Sequence, residues 1–263
     1  EITTRLVGSE MCIRDRDYTY QTVKMYYEKR GNGDAVILLH GWGCDGRVFD
    51  EIANILEKKY TVYSLDLLGF GKSEEPPHPY TLDEYVDFLI NFVKDNKIIA
   101  PILIGHSFGG RIAIRYAKSE AVNKLILIDS AGIRPRDLWV TKTKICIYKI
   151  KKKWFKLTKN VTAYQKLIQN SGSNDYKNAT PIMKKTLSLI TTAYLEKDLK
   201  QIHTDALIIW GKKDKTTPYT DALKMHKLLK NSGIVAIENA GHFPFLEQKS
   251  VVLAVIKSYL GVE

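Results

Sequence analysis

No apolar run in this chain approaches the roughly 18–20 residues that a membrane-spanning helix requires. No stretch joins a basic start, an apolar segment and a small-residue cleavage site, so no secretion signal is visible. Cysteine is scarce: Cys12, Cys44 and Cys146 are odd in number and far apart. Such spacing excludes a disulfide framework, offers no metal-ligand pattern and suits a reducing compartment. The expected location is therefore cytoplasmic. What the chain does have is length. Its 263 residues can bury a substantial core, as one large domain or one domain with an insertion.

Acidic residues are scarce in one place only. Residues 133–200 hold 16 of the 40 basic residues but just 4 of the 29 acidic ones, and so carry the whole net charge of +11. Lysines flank Trp154 and Phe155 in the densest part. A lysine-rich helix face is ordinarily just solvated. At most it offers weak attraction for a membrane surface or an anionic substrate. No nucleic-acid partner is expected. Residues 1–16 show no sustained period and no turn chemistry, and read as a disordered tail or non-native remnant, with the fold beginning near Tyr18.

From there strands and helices alternate. Residues 18–29 alternate and predict one or two antiparallel strands before the turn at Gly31–Asp34. "AVILLH" at 35–40 is a continuous apolar run, as expected of a parallel strand buried on both faces. Helical spacing over 48–58, a strand over 60–67 and a Gly/Pro-rich loop follow. Thr81 and Glu84 form a capping-box pattern that opens a helix to about Asn96. Strand 101–105, helix 109–119 and strand 124–129 come next. The alternation stops over 133–200, which shows only helical patches, and resumes with strands at 206–210 and 234–238, each followed by a helix. Such units make a mostly parallel sheet covered on both faces. Its ligands gather at the carboxyl ends of the strands. Those ends lead to His40, Ser107, Asp129, Asp214 and His242.

The chemistry sits on that rim. Gly105-His106-Ser107-Phe108-Gly109 fits G-x-S-x-G between a strand and a helix, a sharp turn that exposes a serine above the sheet. A serine needs a base to take its proton. His242, in a loop shaped by Gly241 and Pro244, is the candidate. His40 and His106 flank the site and read as scaffold or pocket residues. The base needs a carboxylate to hold its tautomer. Asp214 is favoured, because its loop precedes the histidine loop by one strand–helix unit; Asp129 is the rival. Oxyanion donors would be the backbone N–H groups of Phe108 and of Trp42, the latter in the His40-Gly41-Trp42-Gly43 loop. Two decoys fail. Residues 69–73 end like a phosphate-binding loop, but Asp66 stands where its first glycine belongs. Cys44 has no histidine arrangement to activate it and reads as a pocket-wall residue.

Taken together, HGWG, "DLLGFGKS" at 66–73, GHSFGG, the Asp214 loop and "GHFPF" occur in the order found in the α/β-hydrolase superfamily, which the sequence resembles from about Tyr18 to Leu260. The resemblance implies an α/β-hydrolase fold, with a mostly parallel central sheet between helices. Residues 17–132 and 201–263 would form the core and 133–200 an inserted helical cap. It implies hydrolysis through an acyl-enzyme, with Ser107 as nucleophile, His242 as base then acid, and Asp214 as orienter, and no metal or organic cofactor. The expected substrate is a small to medium apolar carboxylic ester. His40, Gly41, Cys44, His106, Trp139 and Phe243 are candidate pocket residues, and Trp154 and Tyr164 further cap aromatics. Three alternatives stay open. One is C–C bond hydrolysis of a dienoic keto acid, whose anionic group Arg134 and Arg136 would face. Another is a perhydrolase or peroxidase-like side activity on the same scaffold. The third is a ligand receptor or interaction module that kept the shape of the triad.

Overall fold

The structure, a computed structural model, describes residues 14–135, 150, 154 and 179–263. Among the described residues, eight strands form one sheet. The first two, β1 (Arg14–Tyr20) and β2 (Val23–Arg30), make an antiparallel hairpin that joins the edge of β4 (Thr61–Leu65). The other pairs are parallel: β4 with β3 (Ala35–Leu39), then β5 (Ile102–His106), β6 (Lys124–Ile128), β7 (Asp205–Gly211) and β8 (Ser232–Ile237). Parallel neighbours need crossovers, and helices supply them. These are α1 (Asp50–Leu56), α2 (Leu82–Asp95), α3 (Phe108–Ser119), α4 (Pro181–Thr191), α5 (Glu196–Leu199), α6 (Tyr219–Leu228), α7 (Pro244–Glu247) and α8 (Lys249–Leu260).

Strand side chains alternate between two apolar layers. Ile37, Leu39, Leu103, Leu125 and Leu127 face α2, α3 and α6, and pack with Phe92, Ile112 and Met225. Val36, Leu38, Ile104, Ile126 and Ile128 face α1 and α8, and pack with Ile52, Leu56, Val252 and Ile256. Near-continuous apolar strands are thus explained: every position faces a covered side. Phe92 anchors the hairpin side, meeting Tyr18, Tyr27 and Tyr63 edge-on at 5.2, 5.0 and 5.8 Å.

Two local features depart from the sequence reading. The first strand begins at Arg14, inside the segment set apart as a tail. Arg14, Asp15 and Arg16 pair with Lys29, Glu28 and Tyr27, and a neighbouring strand supplies the order that composition does not signal. The hairpin turns at Gln21 and Thr22, with φ of 46° and 73°. That left-handed pair usually asks for Asn-Gly, so the sequence gives no turn signal there. The loop at 69–73 is a structural turn, as expected: Asp66 accepts the N–H groups of Gly46 and Lys72, both at 2.7 Å.

Residues that follow the interruption after β6 close back onto the core. Ile190, Leu195 and Leu199 join the layer that contains Phe108. Thr186 Oγ1 accepts the N–H of Tyr80 at 3.0 Å, and Asp198 accepts from Arg115 at 2.7 Å. Among the described residues no helix is long and apolar enough to cross a membrane.

The capping box at the start of α2 is complete. Thr81 Oγ1 accepts the Glu84 N–H at 3.3 Å, and the Glu84 carboxylate accepts the Thr81 N–H at 2.7 Å. Thr81→Ala should cost about 1 kcal/mol in urea denaturation, with the m-value unchanged.

Candidate active site

Ser107 is the hinge between β5 and α3, and its backbone sits at φ 49° and ψ −107°. A non-glycine residue there is strained and must be held by its surroundings. Its N–H donates to Ile128 O at 3.2 Å, and its carbonyl accepts from Ala131 at 3.0 Å. Gly109 makes the close approach possible. A Cβ there would lie 1.9 Å from the carbonyl oxygen of Leu39, whereas the glycine N–H donates to His40 O at 3.0 Å. The end of β3 is thereby pressed against the start of α3.

The three side chains expected to act together do meet. His242 Nε2 lies 3.0 Å from Ser107 Oγ, and His242 Nδ1 lies 2.7 Å from Asp214 Oδ2. Asp214 is encircled by donors. Its Oδ1 accepts the N–H groups of Thr216 and Thr217 at 2.6 and 3.1 Å, and its Oδ2 accepts the Thr217 hydroxyl at 2.6 Å. Burial opposes the charge on Asp214, but the hydrogen bonds from His242, Thr217 and the Thr216 N–H outweigh it and hold the carboxyl down to about 2. A carboxylate there fixes the proton of His242 on Nδ1 and leaves Nε2 free to accept from the serine.

Asp129, the rival, is fully buried at the end of β6. One atom each of Asp129, Asp214 and His242 lie within 4.8 Å of one another. The 2.7 Å contact of His242 with Asp214 is nevertheless a hydrogen bond; two ligands of one tetrahedral zinc ion stand about 3.4 Å apart. Asp129 itself does not reach the imidazole by a hydrogen bond. Its Oδ1 accepts the Gly211 N–H at 3.0 Å.

Of the expected pocket residues, two prove to be scaffold. His40 is fully buried. Its Nε2 accepts from Leu67 N–H at 2.9 Å, so its Nδ1 carries the proton and donates to Gly41 O at 2.7 Å. His106 is buried too, and its Nε2 donates to the carbonyl of His242 at 2.7 Å. Burial, then the charge of a protonated His242, pushes His106 down to about 3, so it stays neutral and serves as a strut under the catalytic-type loop. Both rings are buried and hold loops, His40 through both nitrogens and His106 through Nε2, while the buried Nδ1 of His106 meets no hydrogen-bond partner. Gly41 does border the serine: a Cβ there would lie 3.4 Å from Ser107 Cβ and 2.7 Å from His106 Nδ1. The following residue, Trp42, sets its ring 5.6 Å from that of Phe108, the first residue of α3. Cys44 is partly exposed, and its N–H closes the turn onto Gly41 O at 3.2 Å. Phe243 is partly exposed and lies with its ring 5.3 Å from that of His242. Trp154 is exposed rather than turned into a pocket. Trp139, Tyr164 and Arg136 lie outside the described residues. Arg134 sits over the ring of Tyr194 at 4.8 Å, and its N–H donates to Glu196.

Three contributors carried no signal in the sequence. Phe70, in the turn set aside as structural, packs edge-on against Trp42 at 4.8 Å. Thr217 braces Asp214. Glu247 accepts the N–H groups of Gly241 and Phe243 at 2.8 and 3.1 Å, and so fixes the histidine loop from both sides. Phe70 does stand in the "DLLGFGKS" stretch, but that stretch signals a turn and not this ring contact; Thr217 and Glu247 stand in no motif, and each of the three is recruited by a fold contact.

A serine, an imidazole and a buried carboxylate in line, at the carboxyl edge of a parallel sheet, define a hydrolase-type site. Residues 36–255 match the model of the alpha/beta hydrolase family. The chain belongs to that family. It is 27% identical over 274 residues to the AB hydrolase superfamily protein YisY of Bacillus subtilis, covering 92% of this chain and 97% of that one. It is likewise 27% identical over 273 residues to a 2-hydroxy-6-oxo-6-(2'-aminophenyl)hexa-2,4-dienoic acid hydrolase of Metapseudomonas resinovorans, covering 96% and 93%. Among solved structures it is similar to an esterase from Exiguobacterium antarcticum, with a TM-score of 0.70, 25% identity, and coverage of 91% and 96%.

Thr217→Val keeps the shape of the brace but removes the donor to Asp214. It should lower kcat by about tenfold, with KM unchanged, in steady-state kinetics.

Proposed function

We propose that this chain is a serine hydrolase that cleaves carboxylic esters through an acyl-enzyme. The observation that carries the reading is the unbroken line Ser107–His242–Asp214, with contacts of 3.0 and 2.7 Å. His242 Nε2 takes the Ser107 proton as Oγ bonds to the ester carbon. The N–H groups of Trp42 and Phe108 receive the oxyanion; one such donor is worth about 10²–10³ in rate. The imidazolium, stabilised by Asp214, then hands its proton to the leaving alkoxide, and water repeats the sequence to free the acid. Residues 133–200 act in this reading as a cap over the acyl pocket. Trp42, Phe70 and Phe108 form an aromatic wall that suits apolar acyl groups.

C–C bond hydrolysis is the second reading. It is supported by the similarity to the dienoic acid hydrolase, which is matched along nearly its whole length. A receptor has no use for a proton-passing line with both ends braced, and the receptor reading is set aside on that ground.

The purified protein should hydrolyse short p-nitrophenyl acyl esters. Ser107→Ala should abolish turnover, and Asp214→Asn should reduce kcat by about 10⁴. Undiminished hydrolysis by the alanine variant overturns the mechanism. A series of acyl chain lengths measured beside a dienoic keto acid separates the two readings: faster turnover of the keto acid favours the second. Activity should also fall on acidification. Asp214, held at about 2, and His106, at about 3, stay in one state through mild acidification and do not account for that loss.

A further inference from the structure

Strand β6 ends on a carboxyl group that the reaction above does not use. Asp129 is fully buried, and its backbone sits at φ 41°, in the left-handed region. Three contacts hold it there. Its N–H donates to Ile209 O at 3.0 Å, its carbonyl lies 3.1 Å from Thr217 Oγ1, and its Oδ1 accepts from Gly211 N–H at 3.0 Å. All three partners belong to β7 or to the Asp214 loop. The second carboxyl oxygen, Oδ2, is buried and meets no donor.

A buried acceptor without a donor is costly, and a buried charge without one more so. The charged groups that face Asp129 are Asp214 from the loop after β7, His242 from the loop after β8, and Glu247 from α7. Two of these are carboxylates. Two carboxyls in one buried volume do not both ionise. The charge goes to the one with more donors. Asp214 has His242, the Thr217 hydroxyl and two backbone N–H groups, whereas Asp129 has the single N–H of Gly211. A proton on Asp129 Oδ2 turns the orphan acceptor into a donor, and the acceptor at hand is Asp214.

We infer that Asp129 is held as the neutral acid and donates a hydrogen bond to Asp214, which makes it a positioning residue for the Ser107–His242–Asp214 line. The inference rests on that line being the working site. It differs from a spare acid: a protonated Asp129 cannot replace Asp214 as the counter-charge of imidazolium. Burial, and behind it Asp214 and Glu247, push the Asp129 carboxyl up to about 9 against the pull of the Gly211 N–H. The folded chain therefore keeps a proton that the unfolded chain releases near pH 4, and this group costs stability increasingly as pH rises towards 9.

The test has one arm independent of turnover. In protein labelled with ¹³C at aspartate carboxyls, a resonance missing from Asp129→Asn should titrate above pH 7. In Asp214→Asn the same resonance should titrate lower, because the neighbouring charge is gone. Titration of the Asp129 resonance below pH 5 in the wild-type protein overturns the inference. In the kinetic arm, Asp129→Ala should lower kcat about tenfold with KM unchanged. Asp129→Asn, which keeps an N–H donor where the proton was, should recover most of that and lose the alkaline fall in kcat near pH 9. Equal damage in both variants shows that a charge, not a donor, is needed, and overturns the inference. An inactive wild-type protein counts against ester hydrolysis, and the resonance still decides the state of Asp129.

Discussion

The structure depends on one strained residue. Ser107 can stay at a positive φ only because β3, β6 and α3 are packed around it more tightly than any side chain at Gly109 would allow. The cost of such a conformation, about 1–3 kcal/mol, is met by the core beneath it. The same crowding gives the serine its exposure. With its backbone hydrogen-bonded to the end of β6 and the segment beyond it, the side chain has only the rim of the sheet to point towards, where the imidazole waits.

Around the serine the polar groups are arranged in successive braces. Asp214 fixes the tautomer of His242; Thr217 and two backbone N–H groups fix Asp214. His106, kept neutral by burial, holds the backbone of His242 from below, and Glu247 holds the loop from the far side. A base that must accept and return a proton within one turnover gains from such fixing, because no reorganisation is needed as charge develops. His40 plays the corresponding part for the loop that follows β3, tying it to the loop after β4.

The family membership and the site agree on hydrolysis but leave the bond to be cleaved to the substrate pocket. The relatives reflect this, since a dienoic acid hydrolase and an esterase resemble the chain to a similar degree. The Ser107–His242–Asp214 line comes from the ends of the sheet strands, and the insertion follows β6. The excess of lysine lies in that insertion, in 133–200, and not in the segments that supply Ser107, Asp214 and His242.

The sequence by itself determined the architecture and the identity of the central residues. Apolar runs between turn residues marked the parallel strands, because burial on both faces leaves a continuous signature. Thr81 and Glu84 marked a helix start, and G-x-S-x-G between strand and helix marked the strained serine, because a tight turn needs glycine at fixed offsets. What only the tertiary structure decided lay in contacts between segments distant along the chain. These are the hydrogen bond of His242 to Asp214, which loop order had favoured over Asp129, the use of His40 and His106 to hold loops, the bracing by Thr217 and Glu247, the contact of Phe70 with Trp42, and the recruitment of Arg14–Arg16 into a strand. The physical reason is common to all. A motif is legible when the backbone next to it demands particular residues, whereas a hydrogen bond across the rim of a sheet places no constraint on sequence neighbours and exists only once the strands are side by side.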